Sequence, residues 1–379
     1  MELPNADKAL LPAPPMPEIP QAELIAKVAK QTGVSPFRQM AEMARLSWGK
    51  NKLNLDAYYA NRVYRKELSG KQKREFVGLA TNYALNRQLN PLDDAEKVGF
   101  IRNKVLYGEF LRKYRLPTTE LQAVAAQSGD HGKARILRDV DAIVDFLRTK
   151  AVYPLFGKPA SGSRSVGSAL ILSYNSARDA VTLGNGKSFD VRAFAQEMHD
   201  DYANGFLLQS AVQQHKDMSA IAGKALGSLR IVTVNYATGP KVLYAVWKMP
   251  GPGAMSDNFW QKGSMLAKID AATGTLTTCR RGTGPDMEEI VAHPVSGKPV
   301  VGFTVPHWKS AVGLALKGHA LMPEMGVFGW DIGMSQDGPL VIEANVNPFH
   351  PIYQLATGRG IKNPDLWPSL QAAIKQRAA

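Results

Sequence analysis

The apolar pattern changes period part-way along the chain, and that change limits the folds available to it. Across residues 21–110 apolar side chains recur three and four positions apart, as in Leu24, Ile25, Val28 and Ala29, and again in Phe76, Leu79, Ala80 and Tyr83. That spacing predicts several packed amphipathic helices. Residues 101–114 continue it as one helix, which Leu116-Pro117 stops. Leu121–Ala125 reads as a strand, and residues 139–149 as a further amphipathic helix. Short β-branched or apolar runs separated by glycines then follow at 151–156, 168–172, 180–183, 205–209, 230–236, 242–247 and 340–344. Helices followed by a mixture of strands and helices predict an α+β architecture.

With 379 residues the chain exceeds the roughly 250–300 at which one core stops growing, so two or three subdomains are expected. Residues 1–20 hold six prolines and few large apolar groups, and read as a disordered or extended tail. That tail lacks the basic and apolar segments of a secretory signal. No run of about 18 apolar residues occurs, so no membrane span is expected. A single cysteine, Cys279, excludes internal disulfides and a multi-thiolate zinc site. This usage, with thirteen methionines, predicts a reducing, cytoplasmic setting. Arg280 and Arg281 would favour a Cys279 thiolate; the alternative is an inert residue at a strand end.

Net charge is +13, spread without a block of like charges. Such a field suits nucleotides, phosphorylated substrates or anionic surfaces. No zinc-finger spacing or aromatic–basic RNA motif occurs, so no specific nucleic-acid partner is expected. Oligomeric state is not legible.

Three segments carry chemistry. In the first, Phe156-Gly157-Lys158-Pro159 runs into Ala160-Ser161-Gly162-Ser163-Arg164-Ser165-Val166-Gly167. A strand delivers a lysine, and a small, hydroxyl-rich loop follows whose amides could face one anion. An ordinary hairpin with a loose tip is the other reading. Gly186-Lys187-Ser188 is not the end of a Walker A loop, because Val181 stands where its first glycine belongs.

In the second, Gly329-Trp330-Asp331-Ile332 and Leu340-Val341-Ile342-Glu343-Ala344-Asn345 flank the turn Gln336-Asp337-Gly338-Pro339. Alternation puts Glu343 and Asn345 on one strand face, and the hairpin can bring Asp331 beside them. Two carboxylates and an amide oxygen are hard ligands suited to magnesium; a solvated polar face is the alternative. In the third, Arg230 opens the apolar strand Leu229-Arg230-Ile231-Val232-Thr233, either to meet an anion or to form a buried structural ion pair.

Taken along the chain as lysine strand and loop, then arginine strand, then aspartate hairpin, the segments resemble the ATP-grasp superfamily, and within it the sugar-transfer-associated, glutamate-ligase-like branch. The resemblance covers about residues 103–358. It implies an ATP-grasp fold of two α+β lobes gripping ATP, preceded by a helical region at 21–100. Residues 101–155 would form a pre-ATP-grasp α/β segment and 156–379 the lobes. It implies that Lys104, Lys158, Ser161, Gly162, Ser163, Ser165, Val166 and Gly167 hold the ATP phosphates. Gln209, Ser210, Ala211 and Val212 would form the linker whose backbone reads adenine. Asp331, Glu343 and Asn345 would hold Mg2+, with Mn2+ as an alternative ion. Arg230, Lys248 and Asn258 would act on the reacting groups, and Trp247-Lys248 and Ser256-Asp257-Asn258 fall where the branch has further active-site residues. His293-Pro294 and Val305-Pro306-His307-Trp308 also match the branch. Residues 213–216 lack the acid that relatives use for ribose, with Asp217 the nearest, and Lys262-Gly263 stands where relatives have two glycines. The implied activity is ATP-dependent carboxylate–amine ligation through an acyl phosphate, on small or saccharide-linked substrates. A phosphotransferase or a non-catalytic nucleotide sensor are the alternatives.

Overall fold

The computed structural model describes residues 8–10, 20–49, 51–129, 131–160, 166–258 and 262–378. The chain opens with helices α1 (Gln21–Thr32), α2 (Pro36–Ser47), α3 (Leu55–Ala60), α4 (Gly70–Lys73), α5 (Leu79–Arg87), α6 (Ala95–Arg102) and α7 (Lys104–Lys113). The helix expected over 101–114 is thus two helices. Asn103 divides them: its side chain accepts from the amides of Val105 (3.1 Å) and Leu106 (3.2 Å) and caps α7. Helical periodicity runs across this cap, which hid the break.

The first sheet contains β1 (Leu121–Ala125), β2 (Ile136–Leu137), β3 (Leu155–Pro159), β4 (Ala169–Asn175), β5 (Ala180–Leu183), β6 (Ser188–Asp190) and β7 (Phe206–Ser210). Its order is β2-β1-β7-β3-β4-β5-β6. Strand β3 starts later than the expected 151–156 run, since Pro154 has no N–H to give to a ladder. Helices α8 (Val140–Thr149) and α9 (Val191–Asp201) pack against this sheet. In α8, Ile143, Val144, Phe146 and Leu147 face the core, each worth about 1.5–3 kcal/mol on full burial, and Asp139 caps the N-terminus.

After α10 (Lys216–Ala222) the chain builds a second sheet. Its strands are β8 (Leu229–Tyr236), β9 (Gly239–Met249), β10 (Met265–Ile269), β11 (Leu276–Arg281), β12 (Glu288–Glu289), β13 (Val327–Ser335) and β14 (Gly338–Asn345). The order is β12-β11-β10-β9-β8-β13-β14. Helix α11 (Trp308–Ala320) shares one core with this sheet, while α12 (Pro351–Thr357) and α13 (Trp367–Ala378) share another. Cys279 is buried in the first of these cores, which pushes its thiol up to about 12 and favours the inert reading.

Side-chain amides fasten the N-terminal helices to the second sheet. Asn90 accepts from the amides of Gly326 (2.7 Å) and Val327 (2.9 Å) and donates to the carbonyls of Val327 (2.7 Å) and Val346 (2.6 Å). Asn82 and Asn86 both donate to the Pro348 carbonyl, and Gln354 exchanges two hydrogen bonds with the Val77 backbone. These bonds hold the chain just beyond β14.

The described part of the Pro-rich tail differs from the expected disorder. The Ala9 and Leu10 amides donate to Glu197 (2.9 and 3.1 Å), both side chains are buried against the first sheet's core, and Lys8 pairs with Asp201 at 2.8 Å. A leucine with an apolar seat and two satisfied amides outweighs the composition around it. Residues 1–7 and 11–19 lie outside the described residues.

Candidate active site

A cavity of about 800 Å³ is lined by residues of both sheets. Strand β3 brings Lys158 to it, and the N-terminus of α7 brings Lys104. Lys104 Nζ lies 3.4 Å from the Pro159 carbonyl. Lys158 is buried, and desolvation, with Lys104 adding to it, lowers its pKa to about 8 against the attraction of Glu343. Val166 lines the cavity beside Ser168. Gly167 takes φ +77°, and a Cβ there would strike the Tyr202 hydroxyl, so close packing and backbone both require glycine. Ser161, Gly162, Ser163 and Ser165 lie outside the described residues.

Gln209, Ser210, Ala211 and Val212 run along the same cavity. Not all of their groups face it freely. Gln209 donates its side-chain N–H to Thr119 at 2.9 Å, the Ser210 amide donates to the Glu120 carbonyl, and the Ala211 amide to Pro154. The Val212 amide has no such backbone partner among the described residues. Gln213, Gln214 and Ser219 line the wall beyond; Asp217 does not.

The second sheet contributes a closed chain of charge. Register pairs Asp331 with Arg230 across β13 and β8, and with Glu343 across β13 and β14. Arg230 grips Asp331 through two bonds, Nε to Oδ1 at 2.7 Å and Nη2 to Oδ2 at 3.0 Å. Lys248 Nζ lies 3.3 Å from the same Oδ1 and 3.0 Å from Asp257 Oδ2. Asp257 also accepts from the Ser228 amide and hydroxyl. Burial opposes every charge here. The two cations overcome it and hold Asp331 below the ordinary carboxylate range; the two carboxylates hold Lys248 above its usual value. Burial likewise works against Arg230, but Asp331 keeps its pKa raised. Arg230 is therefore a buried ion-pair residue that also faces a cavity.

Glu343 and Asn345 line the cavity beside this chain. Strict alternation would send Ile342 to the opposite face. A bulge between Asp331 and Ile332 shifts the register by one residue, and Ile342 lines the cavity together with Glu343. Asn345 donates its side-chain N–H to the Gly329 carbonyl at 3.3 Å, which leaves its oxygen as the acceptor end. A carboxylate accepts about four hydrogen bonds. Three donors occupy Asp331, so one lone pair on Oδ2 is uncommitted among the described residues. Glu343, Asn345 and that oxygen are the hard donors a divalent cation selects. No cluster of three or more His, Cys, Asp or Glu groups suited to a metal occurs among the described residues.

Asn258 is buried in the cavity wall. Its neighbour Ser256 also lines the cavity, and its buried hydroxyl has no partner among the described residues. Ser256 and Asp257, which the resemblance marked together with Asn258, reach the cavity, and so do Asn347 and Leu79, for which sequence reading drew no role. Leu79 arrives from the N-terminal helices, so nothing near the motifs pointed to it. His293 and His307 do not line it. His350 is fully buried between Tyr244 and Asn86, and burial, then the nearby Arg230, lowers its pKa to about 3.

Residues 81–366 match the model of the sugar-transfer associated ATP-grasp family, well over half of the chain. The chain belongs to that family. Its two sheets are the two lobes of the ATP-grasp fold, and the cavity lies between them. No curated protein matches it significantly. Solved structures similar to it include the biotin carboxylase domain of Hydrogenobacter thermophilus 2-oxoglutarate carboxylase, in complex with MgADP, ADP and bicarbonate (TM-score 0.39, 11% identity, 75% of this chain and 47% of that one). A second is the β,γ-ATP complex of biotin carboxylase from Campylobacter jejuni (0.42, 9%, 73% and 46%). A third is the D-alanine–D-alanine ligase from Coxiella burnetii (0.41, 12%, 74% and 58%). The chain spans about half the length of these structures.

Proposed function

We propose that the protein is an ATP- and magnesium-dependent carboxylate–amine ligase. The observation that carries this reading is one cavity shared by a desolvated Lys158, the Arg230–Asp331–Lys248 chain and the hard donors Glu343 and Asn345. Lys104, Lys158, Val166 and Gly167, with Ser161, Gly162, Ser163 and Ser165, would hold the ATP phosphates, and the Gln209–Val212 segment the adenine. Glu343, Asn345 and the free Asp331 lone pair would hold Mg2+, or Mn2+, which offsets charge on the transferred phosphoryl group.

The remaining steps use the chain's own residues. A substrate carboxylate oxygen attacks the γ-phosphorus; the bond to the β,γ-bridging oxygen breaks and ADP leaves. The amine then attacks the acyl carbon of the acyl phosphate, inorganic phosphate leaves, and the amine surrenders a proton. Lys248 and Arg230, fixed by Asp331, present positive charge without reorganising during the reaction. Asn258 would orient the carboxylate. No side-chain nucleophile is needed. The acceptors would be small or saccharide-linked carboxylates and amines. A cytoplasmic setting, where ATP is plentiful, agrees with this chemistry; no helix among the described residues is long and apolar enough to cross a membrane.

Product analysis over paired acids and amines tests the proposal. ADP, phosphate and a new amide in equal amounts are expected. ADP with a retained phosphoester would make the protein a phosphotransferase, and tight ATP binding without turnover would make it a sensor.

A further inference from the structure

Helix α2 is apolar on two faces. Its inner face is fixed: Leu46 is buried, and buried Gln39 donates to the Val34 carbonyl at 2.8 Å and accepts from the Tyr59 hydroxyl at 2.7 Å. Its outer face carries Phe37, Met40, Ala44 and Trp48, at spacings of three, four and four, which stack on one side of a helix. Phe37 is 82%, Met40 58% and Trp48 90% exposed. Scattered apolar side chains on a surface need no explanation, but an aligned stripe of large ones does.

The surroundings are strongly basic. Residues 21–79 hold 12 Lys/Arg against 5 Asp/Glu, a net of +7 out of the chain's +13. Arg38, paired with Glu42 at 3.3 Å, and Arg45, which has no ion pair among the described residues, follow one edge of the stripe. Two copies meeting through this face would oppose like charges. An anionic bilayer surface matches both properties: acyl chains accept Phe37, Met40 and the Trp48 ring, and headgroups attract the arginines.

We propose that α2 docks the protein peripherally on anionic membranes, lying in the headgroup plane with Phe37, Met40 and Trp48 inserted. This docking is independent of the ligase reading. It requires no spanning segment.

Vesicle sedimentation of the full chain tests it at about 0.1 M salt, where surface charge still acts over about 10 Å. The probes are phosphatidylcholine vesicles with and without about one-third phosphatidylglycerol. The wild type should partition at least about tenfold more onto the anionic vesicles, and Phe37→Gln/Met40→Gln/Trp48→Gln should lose that partitioning. Arg38→Gln/Arg45→Gln should weaken it less. Brominated lipid should quench wild-type fluorescence, and Trp48→Phe should remove that quenching while keeping binding. The proposal is overturned if neither vesicle binds the wild type, if both bind it equally, or if the triple variant binds unchanged. Self-association abolished by the triple variant would overturn it too, making a second copy the occupant.

Discussion

The two walls of the cavity handle positive charge in opposite ways. On the first sheet, Lys158 is buried without an ion pair among the described residues, and its pKa falls to about 8. On the second, Arg230 and Lys248 are equally buried but share Asp331, and both stay above their ordinary values. The first wall stores an unmet demand for an anion. On the second, the cations are paired before any ligand arrives. A triphosphate would satisfy the former and be aligned by the latter.

The largest expected effect lies on the first wall. Lys158→Met should lower ATP-dependent turnover by about a thousandfold, as loss of a preorganised donor does. The same change should stabilise the unliganded protein. A lysine whose folded pKa is depressed binds fewer protons in the native state between about 8 and 10.5, so its contribution to stability rises with pH through that window. At pH 7 the folded state bears the full penalty of the charge, and its removal should add roughly 1–3 kcal/mol in urea unfolding. A destabilised Lys158→Met protein would contradict the contrast between the walls.

Asp331→Ala should have the opposite sign. It leaves two buried cations without their shared carboxylate and should reduce stability by about 3–5 kcal/mol, read as a lower unfolding midpoint. Asn90→Ala removes four buried hydrogen bonds made by a residue outside the cavity lining and should cost about 3 kcal/mol. Its ATP affinity, measured where the protein is folded, should change far less than that of Lys158→Met.

Two smaller effects refine the picture. In the free enzyme, kcat/KM for ATP should fall as pH rises through about 8, because Lys158 then loses its proton. Lys158→Arg should move that falling limb to higher pH, since a guanidinium stays charged. Deletion of residues 1–12 should cost about 1–2 kcal/mol, through the loss of Leu10 burial and of the two amide bonds to Glu197.

Local signals made much of this legible. The Asp331–Glu343 approach follows from one short turn between two apolar strands, and Lys158 from a strand entering a small-residue loop. The pairing of Arg230 with Asp331 depends on β8 lying beside β13, a contact between strands about a hundred residues apart. Sequence could state it only as one of two options. The bulge that turns Ile342 inward breaks the alternation on which strand reading relies. Strands β10 and β11 were missed because Met265-Leu266-Ala267-Lys268-Ile269 and Leu276-Thr277-Thr278-Cys279-Arg280-Arg281 lack a clean apolar run. Leu79 reaches the cavity by tertiary packing alone.

Calorimetric titration with a nonhydrolysable ATP analogue, with and without magnesium, tests the shared cavity most directly. Wild-type protein should bind more tightly with the cation, Glu343→Gln should lose most of that gain, and Lys158→Met should bind weakly in both conditions. Equal affinity in all three proteins, unaffected by magnesium, would place the nucleotide elsewhere and contradict the account.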